Sequence, residues 1–81
     1  MTQKELDNLP TEKKVALLEI IVKKPIVEEW EAALYMSRTV GAMRELRYKF
    51  KIDHIKDGRT IRYRKCDLDS YNEQKLVPAM V

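Results

Sequence analysis

The spacing of apolar residues changes once along this chain, near residue 51, and that change limits the folds open to it. Before it, Val40, Met43, Leu46 and Phe50 recur at the intervals of one helix face. After it, Ile52, His54 and Lys56 alternate with Asp53 and Ile55, and the run meets Asp57-Gly58. Asp-Gly between alternating residues signals a hairpin, because both central positions of its favoured turn need positive φ. A two-residue turn there pairs Lys56 with Arg59, Ile55 with Thr60, His54 with Ile61 and Ile52 with Tyr63. Ile52, His54, Ile61 and Tyr63 then face the core, while Asp53, Ile55, Thr60, Arg62 and Arg64 face outward.

The chain upstream reads as helical. Residues 1–10 are polar, end in Pro10 and read as a flexible arm. Thr11 is placed to cap a helix in which every position from Val15 to Val22 except Glu19 is apolar. Such a helix is expected at the centre of the domain. Pro25 stops it. A second helix follows, with Glu28 and Glu29 in its first turn and Val27, Trp30, Ala33 and Leu34 on one face. Ser37 is the expected N-cap of a third helix over 38–49, whose outer side carries Arg38, Gly41, Ala42, Glu45, Tyr48 and Lys49. Asp67 is placed to cap a short last helix with Leu68 and Tyr71 on one side, and residues 76–81 form a tail. The expected fold is therefore mainly α with a β-hairpin (α+β): a winged helix-turn-helix over 11–75, with three helices, a two-stranded wing and a short C-terminal helix.

Eighty-one residues supply one compact domain. Charge is unevenly spread. The net charge is −2 over residues 1–37, +7 over 38–65 and −2 over 66–81. A basic centre between acidic flanks suits a localised polyanion-binding surface, or else a solvated basic face. Cys66 is the only cysteine, which favours a reducing, cytoplasmic location, and no apolar run has the length of a membrane span.

Catalytic inventory is poor. His54 and Cys66 are the only histidine and cysteine, neither a CxxC nor a histidine pair occurs, and Gly41 and Gly58 are the only glycines. No enzyme, metal, cofactor or small-molecule substrate is expected. Duplex DNA fits better. A helix fits the major groove, where base edges are distinguishable. Arg38, Glu45 and Lys49 are the candidate contacts on the third helix, around the small Gly41 and Ala42, with Ser37 and Arg44 beside phosphates. Gly41 either lets the DNA approach or makes room for the second helix at the tight turn. Lys56, Arg59, Arg62 and Arg64 on the wing supply salt-dependent backbone contacts, or simply discourage edge pairing. Trp30, Met36, Met43 and His54 read as packing residues, and Arg47 is expected along the core.

Residues 26–71 resemble the small winged helix-turn-helix proteins of bacteriophages and mobile elements, including lambda-type excisionases. The resemblance lies in Glu29-Trp30, Ser37-Arg38-Thr39-Val40, Lys56-Asp57-Gly58-Arg59, and Tyr63 followed by Asp67-Leu68. It implies a second DNA-binding helix that reads the major groove through Arg38, Thr39, Ala42, Glu45 and Lys49, a wing that meets the neighbouring minor groove through Lys56, Arg59 and Arg62, and a bacterial cytoplasm or nucleoid. A full apolar helix precedes Glu29-Trp30, unlike the excisionase pattern, so a transcription regulator is expected ahead of a recombination directionality factor. An acidic protein partner for the same basic face is the third reading. A homodimer, or a cooperative neighbour on DNA, would use the last helix and the apolar Leu76, Val77, Met80 and Val81.

Overall fold

The computed structural model describes residues 1–79. Within them the chain is α+β, with five helices and one three-stranded antiparallel sheet. In chain order these are α1 (Gln3–Asp7), α2 (Thr11–Ile21), β1 (Ile26–Glu28), α3 (Glu29–Tyr35), α4 (Val40–Tyr48), β2 (Ile55–Asp57), β3 (Thr60–Arg64) and α5 (Lys65–Gln74). Residues 75–79 lack regular structure, and Met80 and Val81, part of the expected interface tail, lie outside the described residues.

Two elements were not expected. Residues 1–10, read as a flexible arm, carry α1, capped by the Thr2 hydroxyl and anchored by the buried Leu6. The Gln3 Oε1 accepts from the Val40 N–H at 2.8 Å, which ties α1 to the start of α4. Strand β1 takes residues assigned by sequence to the second helix. Pro25 has ended α2, and Ile26 and Val27 are β-branched, a preference that suits a strand. Val27 pairs with Tyr63 in the middle of the sheet and is buried, whereas Ile26 and Glu28 are exposed.

The hairpin keeps its expected faces but not its expected register. Ile55 pairs with Arg62, Lys56 with Ile61 and Asp57 with Thr60, so the two-residue loop is Gly58-Arg59, not Asp57-Gly58. Only Gly58, at the first loop position, has positive φ (61°). That is the demand of a type II′ turn, which places glycine first. The turn therefore moves one residue along the chain, and the inward or outward parity of the residues that pair, Ile55 to Asp57 and Thr60 to Arg62, survives. Residues 51–54 lie outside the strands, though Ile52 is buried.

Helix ends also moved. The N-caps are Pro10, Thr39 and Arg64, not Thr11, Ser37 and Asp67. Ser37 has φ 55° and closes α3: Arg38 N–H donates to Ala33 C=O at 2.9 Å, and Ser37 N–H donates to Leu34 C=O at 3.3 Å. Phe50, with φ 54°, closes α4 in the same way through Lys51 N–H to Leu46 C=O and Phe50 N–H to Arg47 C=O. This is the left-handed helix stop usually made by glycine. It swings Phe50 off the apolar face assigned to it and leaves the side chain 87% exposed.

The core is built on α3, α4 and the sheet. Val27, Ala32, Ala33, Met36, Val40, Met43, Ile52, Tyr63 and Leu68 are buried there, with Leu6 and Ile21 at the α1–α2 side. Helix α2 is peripheral and not central. Only Ile21 of its residues is buried, and Val15, Ile20 and the following Val22 are exposed. Apolar residues all round give a helix no preferred face, and a domain this small lacks the mass to cover a second side. Leu6→Ala is expected to lower stability by about 2–3 kcal/mol in urea unfolding; an unchanged midpoint would mean that α1 is not docked.

Candidate nucleic-acid interface

Helix α4 is amphipathic. Val40 and Met43 are buried, while Gly41, Arg44, Glu45, Tyr48 and Lys49 are exposed and Ala42 is half-buried. The Thr39 Oγ1 accepts from the Ala42 N–H at 3.0 Å and fixes the first turn. At roughly 100° per residue, Gly41, Glu45 and Tyr48 fall near the midline of the exposed face. A β-carbon added at Gly41 would meet only the Thr39 Oγ1, at 3.9 Å. The second helix therefore does not require this glycine for space. Gly41 is the second residue of α4, where glycine costs less than the roughly 1 kcal/mol of a helix interior relative to alanine, and no crowding among the described residues calls for it.

The structure divides the candidate contact residues into two groups. Thr39, Ala42, Arg44, Glu45 and Lys49 belong to α4 or its caps, with Thr39 the N-cap and Lys49 the C-cap, and Glu45 and Lys49 are joined at 2.8 Å across one turn. Ser37 and Arg38 do not. They lie in the α3–α4 turn, and the Arg38 guanidinium sits over the Tyr71 ring, 5.7 Å from its centroid. The expected placement of Arg38 on the outer face of the helix is thus corrected, because α4 begins two residues later. On the hairpin, Arg62 faces outward beside Ile55, Lys56 lies on the opposite face, and Arg59 occupies the loop. All three are exposed. Arg64 is engaged, its Nε and Nη2 donating to the Asp67 carboxylate at 2.6 and 3.0 Å across the start of α5. That pairing holds the Arg64 guanidinium above its ordinary range.

Glu29, read from sequence only as helix N-terminal charge, organises the site. Its Oε1 accepts from Arg44 Nε at 2.9 Å, and its Oε2 accepts from Arg47 Nε at 3.2 Å and from the Tyr63 hydroxyl at 3.1 Å. One carboxylate thus joins α3 to α4 and to β3. Arg47 is mostly buried, as expected, and also lies 4.9 Å from the Tyr48 ring centroid. Glu31 does a similar task nearby. It is buried, accepts from the Glu28 N–H at 3.0 Å and pairs with Lys24 at 2.7 Å. The Glu29 role has no local sequence signature, since its partners lie 15 to 34 residues away, whereas Glu31 completes a capping box with Glu28 three residues before it.

Trp30 is only half-buried; its indole N–H donates to Glu28 Oε2 at 2.7 Å, in a recess shared with Lys24, Ile26 and Arg62. The His54 ring lies 6.5 Å from that of Tyr63, and Cys66 is exposed at the start of α5. Among the described residues no group of three or more His, Cys, Asp or Glu side chains converges as a metal site, and no helix is long and apolar enough to cross a membrane. No protein-family model matches the sequence, and no curated protein is similar enough to count as a relative.

Burial, and then the Glu29 carboxylate, push the Tyr63 hydroxyl up to about 12 from the usual 10.0. The unfolded chain therefore loses this proton first. The stabilisation is complete below pH 10 and is lost as pH rises towards 12, at up to about 1.4 kcal/mol per pH unit. Unfolding free energies measured from pH 9 to 12 should fall less steeply for Tyr63→Phe than for the wild type. Parallel slopes would contradict a protected hydroxyl.

Proposed function

We propose that this chain is a winged helix-turn-helix protein that binds double-stranded DNA, with α4 in the major groove and the β2–β3 hairpin as a wing on the adjacent backbone or minor groove. The order of α2, β1, α3, α4 and the hairpin supports this architecture. The observation that carries the functional reading is Gly41. It is a helix glycine on the midline of an exposed face, needed by nothing inside the protein, and it leaves the backbone bare for a close external surface. The basic stretch over 38–65 surrounds it with charge suited to phosphates.

Within this reading α4 supplies base and phosphate contacts from Thr39, Ala42, Arg44, Glu45 and Lys49. The hairpin supplies register and salt-dependent affinity from Lys56, Arg59 and Arg62, with Arg64 and the turn residues Ser37 and Arg38 at the margins. No chemistry is involved, and the protein acts by occupying or bending DNA in a bacterial cytoplasm. The presence of α2 ahead of Glu29-Trp30 favours a transcription regulator over an excisionase.

Fluorescence anisotropy with a labelled random duplex at several salt concentrations tests this directly. Binding should weaken steeply with salt, and the Arg59→Ala, Arg62→Ala double variant should show a shallower dependence, since each lost phosphate contact lowers the slope of log K on log salt by about 0.9. Absence of duplex binding at low salt would contradict the proposal and turn attention to an acidic protein partner. Gly41→Ala adds a test with opposite signs. It should leave stability unchanged or raise it by less than about 1 kcal/mol, since Gly41 lies in the first turn, yet weaken duplex binding several-fold; a variant at least as stable as the wild type that binds normally would remove Gly41 from the interface.

A further inference from the structure

Glu45 is out of place on a surface meant for a polyanion. It is one of three acidic residues among the ten cations of residues 38–65. Of these, Asp57 pairs with Thr60 beside the hairpin loop and Asp53 precedes the hairpin, whereas Glu45 stands near the midline of the exposed face of α4. Its side chain is 65% exposed, one turn beyond Gly41. Among the described residues its side chain pairs only with Lys49, at 2.8 Å. An exposed pair of this kind steadies a helix only slightly, and would do so equally well on a side of the protein that meets no phosphates.

Resting on the DNA-binding reading above, we infer that Glu45 is the sequence-reading residue of α4, accepting a hydrogen bond from the exocyclic amino group of a cytosine in the major groove. A carboxylate has only acceptors, and the amino group of cytosine is the donor that base presents in the major groove. Position supports the assignment. With Gly41 and Ala42 carrying little or no side chain, the backbone at the first turn can sink towards the bases and bring Glu45 to their edges. Arg44 is held back to one side by Glu29 and meets the flanking backbone. Lys49 covers the Glu45 charge in the free protein and is released to a phosphate on binding, so the carboxylate is not left facing the backbone unpaired. A site lacking the amino donor leaves that carboxylate desolvated without a partner, and the resulting repulsion makes Glu45 discriminating.

The test is selection of binding sites from a randomised duplex library by the full chain, run in parallel for wild type, Glu45→Gln and Glu45→Ala, with affinities measured on the selected sites. The wild type should select a site with one invariant cytosine, whose replacement weakens binding by about tenfold or more. Glu45→Gln should move the preference at that position to adenine, whose paired donor and acceptor suit an amide. Glu45→Ala should lose the preference there and bind random duplex more tightly. Identical selected sites for all three proteins would overturn the inference while leaving DNA binding intact, as would a wild type that binds duplex with no preference. A wild type that binds no duplex would overturn both.

Discussion

The placement of α4 depends on a single carboxylate. Glu29 sits at the first position of α3 and holds Arg44 and Arg47 of α4 and the hydroxyl of Tyr63 on β3. Tyr63 is itself fully buried in the centre of the sheet, paired with Val27. The hydrophobic core brings these elements together without specifying their angle, since apolar contact is non-directional. The Glu29 hydrogen bonds supply direction. Withdrawing the carboxylate would leave a mostly buried guanidinium and a buried hydroxyl without their partner, which is far more costly than the loss of an exposed ion pair.

The same network sorts the cations of the basic segment. Arg47 is taken into the structure, Arg44 is half-committed, and Arg64 is drawn to Asp67. Lys56, Arg59 and Arg62 remain on the exposed hairpin, and Lys49 has only an exposed partner on its own helix. The charge of the segment therefore overstates the charge available to a ligand. Most of what remains lies on the end of α4 and on the hairpin, both tied to Glu29, with Arg38 and Lys51 in the turns beside α4.

Much of this was legible in the sequence where a pattern runs long enough. Nine residues of α4 gave a clear inner and outer face, and the hairpin faces survived a register error because moving the turn one residue along the chain preserves the parity of the residues that pair. Shorter or tertiary features were hidden. Three residues of β1 are too few to show alternation, and their partner strand lies far along the chain. Uniform apolarity in α2 suggested a central helix when it meant only an undirected one. Phe50 fitted the α4 wheel, but that helix stops at Tyr48 in a left-handed turn normally reserved for glycine. For the candidate interface, the basic stretch and the oddity of Gly41 were visible at once. Glu29 was not, because a carboxylate at a helix start has a sufficient local explanation and its true partners are set by packing.

A single DNA-contacting surface made by the outer face of α4 and the hairpin is the core of the proposed function. It is tested most directly by titrating a short duplex into isotope-labelled protein and following each backbone amide by NMR. Shifts should concentrate at Gly41, Ala42, Glu45 and Lys49 and at Lys56, Arg59 and Arg62, with Val15 to Ile21 of α2 unmoved. Shifts centred on α2, or spread evenly over the chain, would contradict it.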